Sequence, residues 1–294
     1  MSCGAKILVV IVVLVWGFNF AVIRWGIESI DPAMMTSLRF LFTSIPMIFF
    51  IKKPKVKILV VATYGVLFGA GVWGLINVSI ALGTPSGIAS LLLQSSAFFT
   101  ILVAAVFFKE KIAFTKKIGL GLAFIGFSVI LFFREESVTI IGVVLVLLSA
   151  MFWTICNVII KKYKPDDIVS FITWSSLFVP VPVLLFSFGQ EFYATGTINF
   201  SNVMSMPNSE AWVSILFQAY ITTLLGYGIW AWAITRYGLS DVAPFSLLIP
   251  VAGIFFGWLI YDEMLSMASV FGSVLILLGL AFLFFSDLYS YNRE

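Results

Sequence analysis

The sequence predicts an all-α integral membrane protein of ten transmembrane helices, arranged as two inverted five-helix repeats with both termini in the cytoplasm. Three observations lead there. Of 294 residues, 61% are apolar and 11% charged, against roughly a quarter charged in a soluble domain. The apolar residues fall in continuous runs, and a helix needs about 20 of them to cross a bilayer; the short alternating segments of a barrel are missing. Finally, Leu75 to Lys111 and Ile229 to Met264 echo each other, each an apolar run, a turn with Gly and Ser, leucine pairs and a second apolar run ending on an acid. Ala89 matches Ala243 at a spacing of 154 and Glu110 matches Glu263 at 153.

In chain order the apolar segments run from Ala5 to Ile23, Ala33 to Ile51, Ile58 to Ala81, Ser86 to Phe108, Ile118 to Phe133, Val138 to Ile160, Val169 to Phe188, Ala211 to Ile234, Val242 to Tyr261 and Ala268 to Phe285. The first resembles a signal-peptide core, but no small-residue cleavage site follows it, so it is read as a retained helix. Most connections are short, which makes consecutive helices antiparallel; Gly189 to Glu210 is expected to be a long polar loop. Fourteen of the 17 Lys and Arg fall on the side that carries the N-terminus, against Arg24 and Arg134 on the other and Arg39 inside helix 2. That bias places both termini in the cytoplasm. Five helices per repeat invert the second copy, dividing the chain into 1–135 and 136–294, and such inversions place substrate between the halves near the midplane. Trp16, Asn19 and Arg24 in WGFNFAVIR recur as Trp153, Asn157 and Lys161 in WTICNVIIK.

Composition also excludes chemistry. The chain has no His and two Cys in unrelated settings, Cys3 and Cys156, so neither a metal site, a cofactor site nor a disulfide framework is expected. Every acid lies at a segment end or in a loop, which argues against an embedded carboxylate relay and leaves an intramembrane enzyme without nucleophile and base. Glu110 and Glu263 read as interfacial caps, or as proton-coupling groups if they lie deeper. The net charge of +3 follows the topology, and no nucleic-acid partner is expected. Asn199-Phe-Ser matches a glycosylation acceptor too short to carry weight.

The candidate site comes from polar and aromatic residues inside the spans. Arg39 either snorkels or bonds a carbonyl, or else meets a substrate carboxylate, because an unpaired cation at membrane depth costs ~3 kcal/mol. Asn19, Asn77, Gln94, Asn157 and Gln218 each put an amide in a span and serve as interhelical hydrogen bonds or as ligand contacts. Gln94, Ser95 and Ser96 interrupt helix 4 and wrap nearly a full turn, so at least one faces a polar interior. Trp16 and Trp153 are paired by the repeat, and Tyr227 and Trp230 sit on a helix expected to face inward. Pro46, Pro180, Pro244 and Pro250 kink their helices.

WGFNF in helix 1, LRF in helix 2, the acids of FKEK and YDEM after helices 4 and 9, and the duplicated ten-helix layout resemble the EamA family of the drug/metabolite transporter superfamily. ASLLLQSSAFFTI, LLGYGIW, ITRYG and VAPFSLLIPVAG are most similar to its bacterial exporters of cysteine and O-acetylserine. The resemblance implies a multi-pass protein of the bacterial inner membrane that exports small amino acids and related metabolites by alternating access. It also implies a cavity lined by helices 1 to 4 and 6 to 9, with helices 5 and 10 peripheral. The partners expected are a small-molecule substrate and the lipid bilayer, with the chain acting as a monomer. A broader exporter of aromatic amino acids or drug-like compounds is the alternative, favoured by the tryptophans.

Overall fold

A computed structural model describes residues 1–107, 109, 112–133, 139–198, 200, 204 and 206–291, and these form helices and turns with no strand. Glu110, Arg134 and Asn199 lie outside the described residues. Among the described residues nine helical stretches are long and apolar enough to cross a bilayer: α1 (Cys3–Ile27), α2 (Pro32–Phe49), α3 (Ile58–Ala81), α4 (Ser86–Val103), α5 (Phe114–Phe132), α6 (Ile140–Tyr163), α7 (Ile168–Tyr193), α8 (Ser209–Tyr237) and α9 (Ala243–Tyr261). A further helix, α10 (Met267–Tyr291), has a shorter apolar stretch in Met267–Leu283.

Local chemistry sets the helix ends. Ser2, Thr139, Asp167 and Asn208 each accept a backbone N–H in the first turn of α1, α6, α7 and α8, which satisfies donors a helix N-terminus leaves open. Asp31 does the same for α2 through Ala33 and Met34, with Pro32 following. Burial raises the Asp31 carboxyl above its ordinary range, against the lowering effect of those two amides. The expected loop from Gly189 starts later: α7 continues through Gln190 and Glu191 to Thr195, and Gly196 ends it at a φ of 73°. The intervening residues tolerate helix, and only glycine takes the left-handed position cheaply.

Packing joins α1 to α9, α9 to α4, α4 to α6, α6 to α3, α3 to α7, α7 to α2, α2 to α8 and α8 back to α1, closing a ring of eight helices. Outside it α5 and α10 pack along each other, and α10 also touches the start of α9. Glycines let that outer pair approach closely. A Cβ at Gly126 would stand 2.6 Å from the Gly272 carbonyl oxygen, and one at Gly279 2.6 Å from that of Gly119.

Six ring helices are interrupted. The helical backbone of α2 breaks at Ile45, and that of α7 at Leu177 to Val179 before Pro180. Gln94 divides α4, and α9 opens with a 3-10 turn, Ala243–Leu247. Both α3 and α8 contain π-helix, at Leu67–Gly74 and Phe217–Leu225. Gly126→Val is expected to overpack the outer pair at a cost of about 1–3 kcal/mol, read as a lower melting temperature in detergent. Gly121→Val should leave it unchanged, because nothing lies within 4 Å of that Cβ position.

Candidate substrate site

The interior of the ring is organised around Arg39, which is 1% exposed. Its Nη1 donates to Gln218 Oε1 at 3.0 Å and its Nη2 to Thr223 Oγ1 at 3.2 Å. The guanidinium also lies 4.2 Å from the Trp73 ring centroid, a cation–π contact that gains strength away from water. Nε has no partner. Among the described residues no carboxylate pairs with this cation, so its charge is held by neutral dipoles and an aromatic face. That leaves it able to take a substrate carboxylate.

The π-helix of α8 makes the arrangement. In a π-turn the backbone pairs i to i+5, so carbonyls and side chains depart from the ordinary register, and such turns often mark functional sites. Here Thr222 and Thr223 both donate their hydroxyls to Gln218 O, at 2.7 and 2.8 Å. Thr223 therefore donates to the backbone while its oxygen accepts from Arg39. The Thr222 carbonyl accepts Trp16 Nε1 at 2.9 Å. Gln218 Nε2 donates to Ser214 Oγ, which donates to Val22 O on α1. One run of hydrogen bonds thus links α2, α8 and α1 through a buried amide.

Aromatic rings continue from this network. Trp16 packs on Tyr227 and on Trp230, each with centroids 5.2 Å apart. Tyr227 meets Phe68 at 5.9 Å, joining α3 to α8, which are not neighbours in the ring, so this contact crosses its interior. Phe68 and Trp73 both reach Trp153, at 5.8 and 5.9 Å. Rings from α1, α3, α6 and α8 form one connected wall with Arg39 at its edge.

Five of the sequence-predicted residues, Trp16, Arg39, Trp153, Tyr227 and Trp230, are brought together by this wall. Asn77 donates to Thr36 Oγ1 at 2.8 Å, one turn before Arg39, and its own Oδ1 has no partner. Asn19 is 1% exposed and neither atom of its amide is bonded. Ser95 is also buried with an unpaired hydroxyl. Such atoms are uncommon, since buried polar groups ordinarily find a protein or water partner. Gln94 instead bridges two helix breaks, donating to Ser246 O on α9 at 3.3 Å. Ser96 offers its carbonyl to Thr154 Oγ1, and Asn157 stays half-buried on α6, with no hydrogen bond joining it to the others. Sequence reasoning marked Gln218 only as an amide in a span and Trp73 only as a ring on an inward-facing helix, and it left Thr223 and Phe68 unmarked. A buried arginine without an acid signals the need for an amide partner, but nothing in the sequence marks the π-helix that presents it.

Among the described residues no three Cys or acidic side chains converge as a metal site would require, and Cys3 and Cys156 are both free thiols. A probable amino-acid metabolite efflux pump of Escherichia coli is 33% identical over 95% of this chain and 94% of its own length. A protein of the same description from Salmonella typhimurium is 34% identical over the same shares. A solved crystal structure with 16% identity matches the fold with a TM-score of 0.57, covering 96% of this chain and 97% of that one. The model of the EamA-like transporter family matches residues 4–132 and 140–285. This multi-pass membrane protein therefore belongs to the EamA-like transporter family.

Proposed function

We propose that the chain is a secondary transporter of the bacterial inner membrane that exports small amino acids and related metabolites of the cysteine and O-acetylserine type. The observation carrying this reading is Arg39, a buried cation with no acidic partner among the described residues and an aromatic wall beside it. A substrate carboxylate would neutralise it, and charge-assisted bonds to a guanidinium fork are among the strong ones. Asn19 and Ser95 carry unpaired acceptors and donors for the rest of a zwitterion, and Trp16 and Tyr227 would close on its side chain. The relatives named as amino-acid metabolite efflux pumps support the substrate class, and helices rather than barrels suit the inner membrane.

Transport would proceed by alternating access between two inverted repeats, 1–135 and 136–294, with both termini cytoplasmic and a monomer as the working unit. Two features favour the repeats. Replacing each of α1 to α5 by the helix five places later, and the reverse, returns the same ring order. The π-helices of α3 and α8, and the breaks in α4 and α9, also fall on helices related in that way. The second reading, a broader exporter of aromatic or drug-like compounds, is favoured by the continuity of the ring wall from Trp230 to Trp73.

Counterflow in proteoliposomes, with cysteine, O-acetylserine and aromatic amino acids and with or without a pH gradient, tests the assignment. Signal for the first two is expected; equal rates with and without every compound would reject export. Arg39→Met removes the buried charge at similar volume but leaves Gln218 Oε1 without its donor, so it should fold with a stability loss of about 1–3 kcal/mol. It should weaken binding of a carboxylate substrate on the order of 10- to 100-fold, given about 1.5–3 kcal/mol for a charged hydrogen bond. An unchanged dissociation constant would remove Arg39 from the site. Gln94→Ala, which unties the two helix breaks, should slow turnover while the amount of folded protein in detergent stays the same; transport at the parental rate would sink that role.

A further inference from the structure

One carboxylate away from the substrate site ties three helices together at the end of the bundle opposite the N-terminus. Glu263 follows α9 in the turn to α10, with its side chain 7% exposed. Asp262 takes a left-handed conformation, φ 51°, which folds the chain back so that Glu263 lies over Gly257, where a Cβ would stand 2.3 Å from Oε2. The carboxylate accepts Ser86 N at 2.9 Å, Gly87 N at 3.1 Å and Ser86 Oγ at 3.1 Å, all at the start of α4. It also accepts Arg24 Nη1 from the last turn of α1. Arg24 in turn lies 4.2 Å from the Tyr261 ring centroid and 3.9 Å from Glu28, and the Tyr261 hydroxyl donates to Ala21 O at 3.0 Å. Beside these contacts is a pocket of about 480 Å³ lined by Arg24, Glu28, Thr84, Tyr261 and Glu263 among others.

A solvated ion pair contributes little to stability. This one is different in kind, because the carboxylate is shielded and every donor it meets outside its own turn belongs to another helix. α1 and α4 come from the first half of the chain and α9 from the second. Any motion that separates α9 from α1 and α4 at this end must break the Arg24 bond and strip the two amides together.

We propose that Arg24 and Glu263 form a latch that holds this end of the ring shut, and that its release admits the cavity to that face during transport. The proposal rests on the alternating-access reading above. The carboxylate supplies the closing interaction, and the N-terminal amides of α4 and the guanidinium of Arg24 are its two catches.

Ser90 is a reporter for opening. It is 1% exposed and packed against Gly253, where a Cβ would stand 2.2 Å from Ser90 Oγ, so it lies on the α4–α9 seam one turn below the latch. In the full chain with Cys3 and Cys156 replaced by Ser, Ser90→Cys is labelled by a membrane-impermeant maleimide applied from the face opposite the N-terminus. Glu263→Gln and Arg24→Gln are each expected to raise the labelling rate several-fold, Glu263→Gln the more because it weakens the bonds to the α4 amides as well as the one to Arg24. Arg24→Gln leaves Glu263 on its α4 amides, so it carries the test if Glu263→Gln fails to fold. Labelling that stays at the parental rate while the melting temperature falls would overturn the latch and leave a structural cap. Because labelling needs no substrate, a chain that labels as expected but shows no counterflow would fail the transport reading and leave the latch standing.

Discussion

The structure depends most on how it holds one guanidinium inside a bilayer without an acid. Several kcal/mol stand against a buried cation that lacks compensation, and here the compensation is distributed. Gln218 and Thr223 give two oxygen acceptors, and Trp73 gives a π-face. Neutralisation by an aspartate would have satisfied Arg39 permanently. Dipoles satisfy it while leaving the charge available, which is the property a binding site for an anion needs.

That solution requires irregular backbone. A regular α8 would align Gln218 with Thr222 through an i to i+4 bond and turn Thr223 aside; the π-register lets both hydroxyls converge on Gln218 O and frees the Thr222 carbonyl for Trp16. Non-helical backbone at membrane depth is tolerated only where protein or a cavity covers it. The interruptions in α2, α3, α4, α7, α8 and α9 all fall on ring helices, whereas α5 (Phe114–Phe132), outside the ring, is one unbroken helix. The paired glycines of α5 and α10 give close, regular packing, and irregularity is confined to the eight helices that have an interior to line.

Sequence made the helices legible because a bilayer imposes length and polarity on each span independently of its neighbours. Ile58 to Ala81 is read to the residue, and the interruption at Gln94 announces itself in three successive polar side chains. Loops were less legible: Gly189 carries no positive φ and α7 runs on to Gly196, since a lone glycine and two polar residues do not end a helix by themselves. Within the site the rings and Arg39 could be named, but their partners could not. Gln218 stands out only as an amide in a span, and its role comes from a register shift that hydropathy does not record. Glu263 read as an interfacial cap, and its side chain does cap α4; the additional catch on Arg24 depends on a turn conformation set at Asp262.

The distribution of unsatisfied polar atoms gives the scaffold a direction. Asn19, Arg39, Trp73, Asn77 and Ser95, on α1 to α4, each carry a buried atom without a partner; from the other half only Thr173 and Ser175, both on α7, do so among the described residues. Under the proposed exchange of halves, related helices thus present unequal chemistry. In the proposed repeat the position matching Ser95 is Ile249 on α9, an apolar residue that follows the 3-10 turn Ala243–Leu247. A site with two equivalent walls would accept a polar substrate in either of two orientations and divide its binding energy between them. With the unpaired polar atoms mostly on one half and rings supplied from both, the polar end of a substrate in the proposed site would have one wall to meet, while its side chain would rest on surfaces that make no directional demand. In the proposed site, selectivity for a carboxylate together with tolerance of varied side chains would follow from that division.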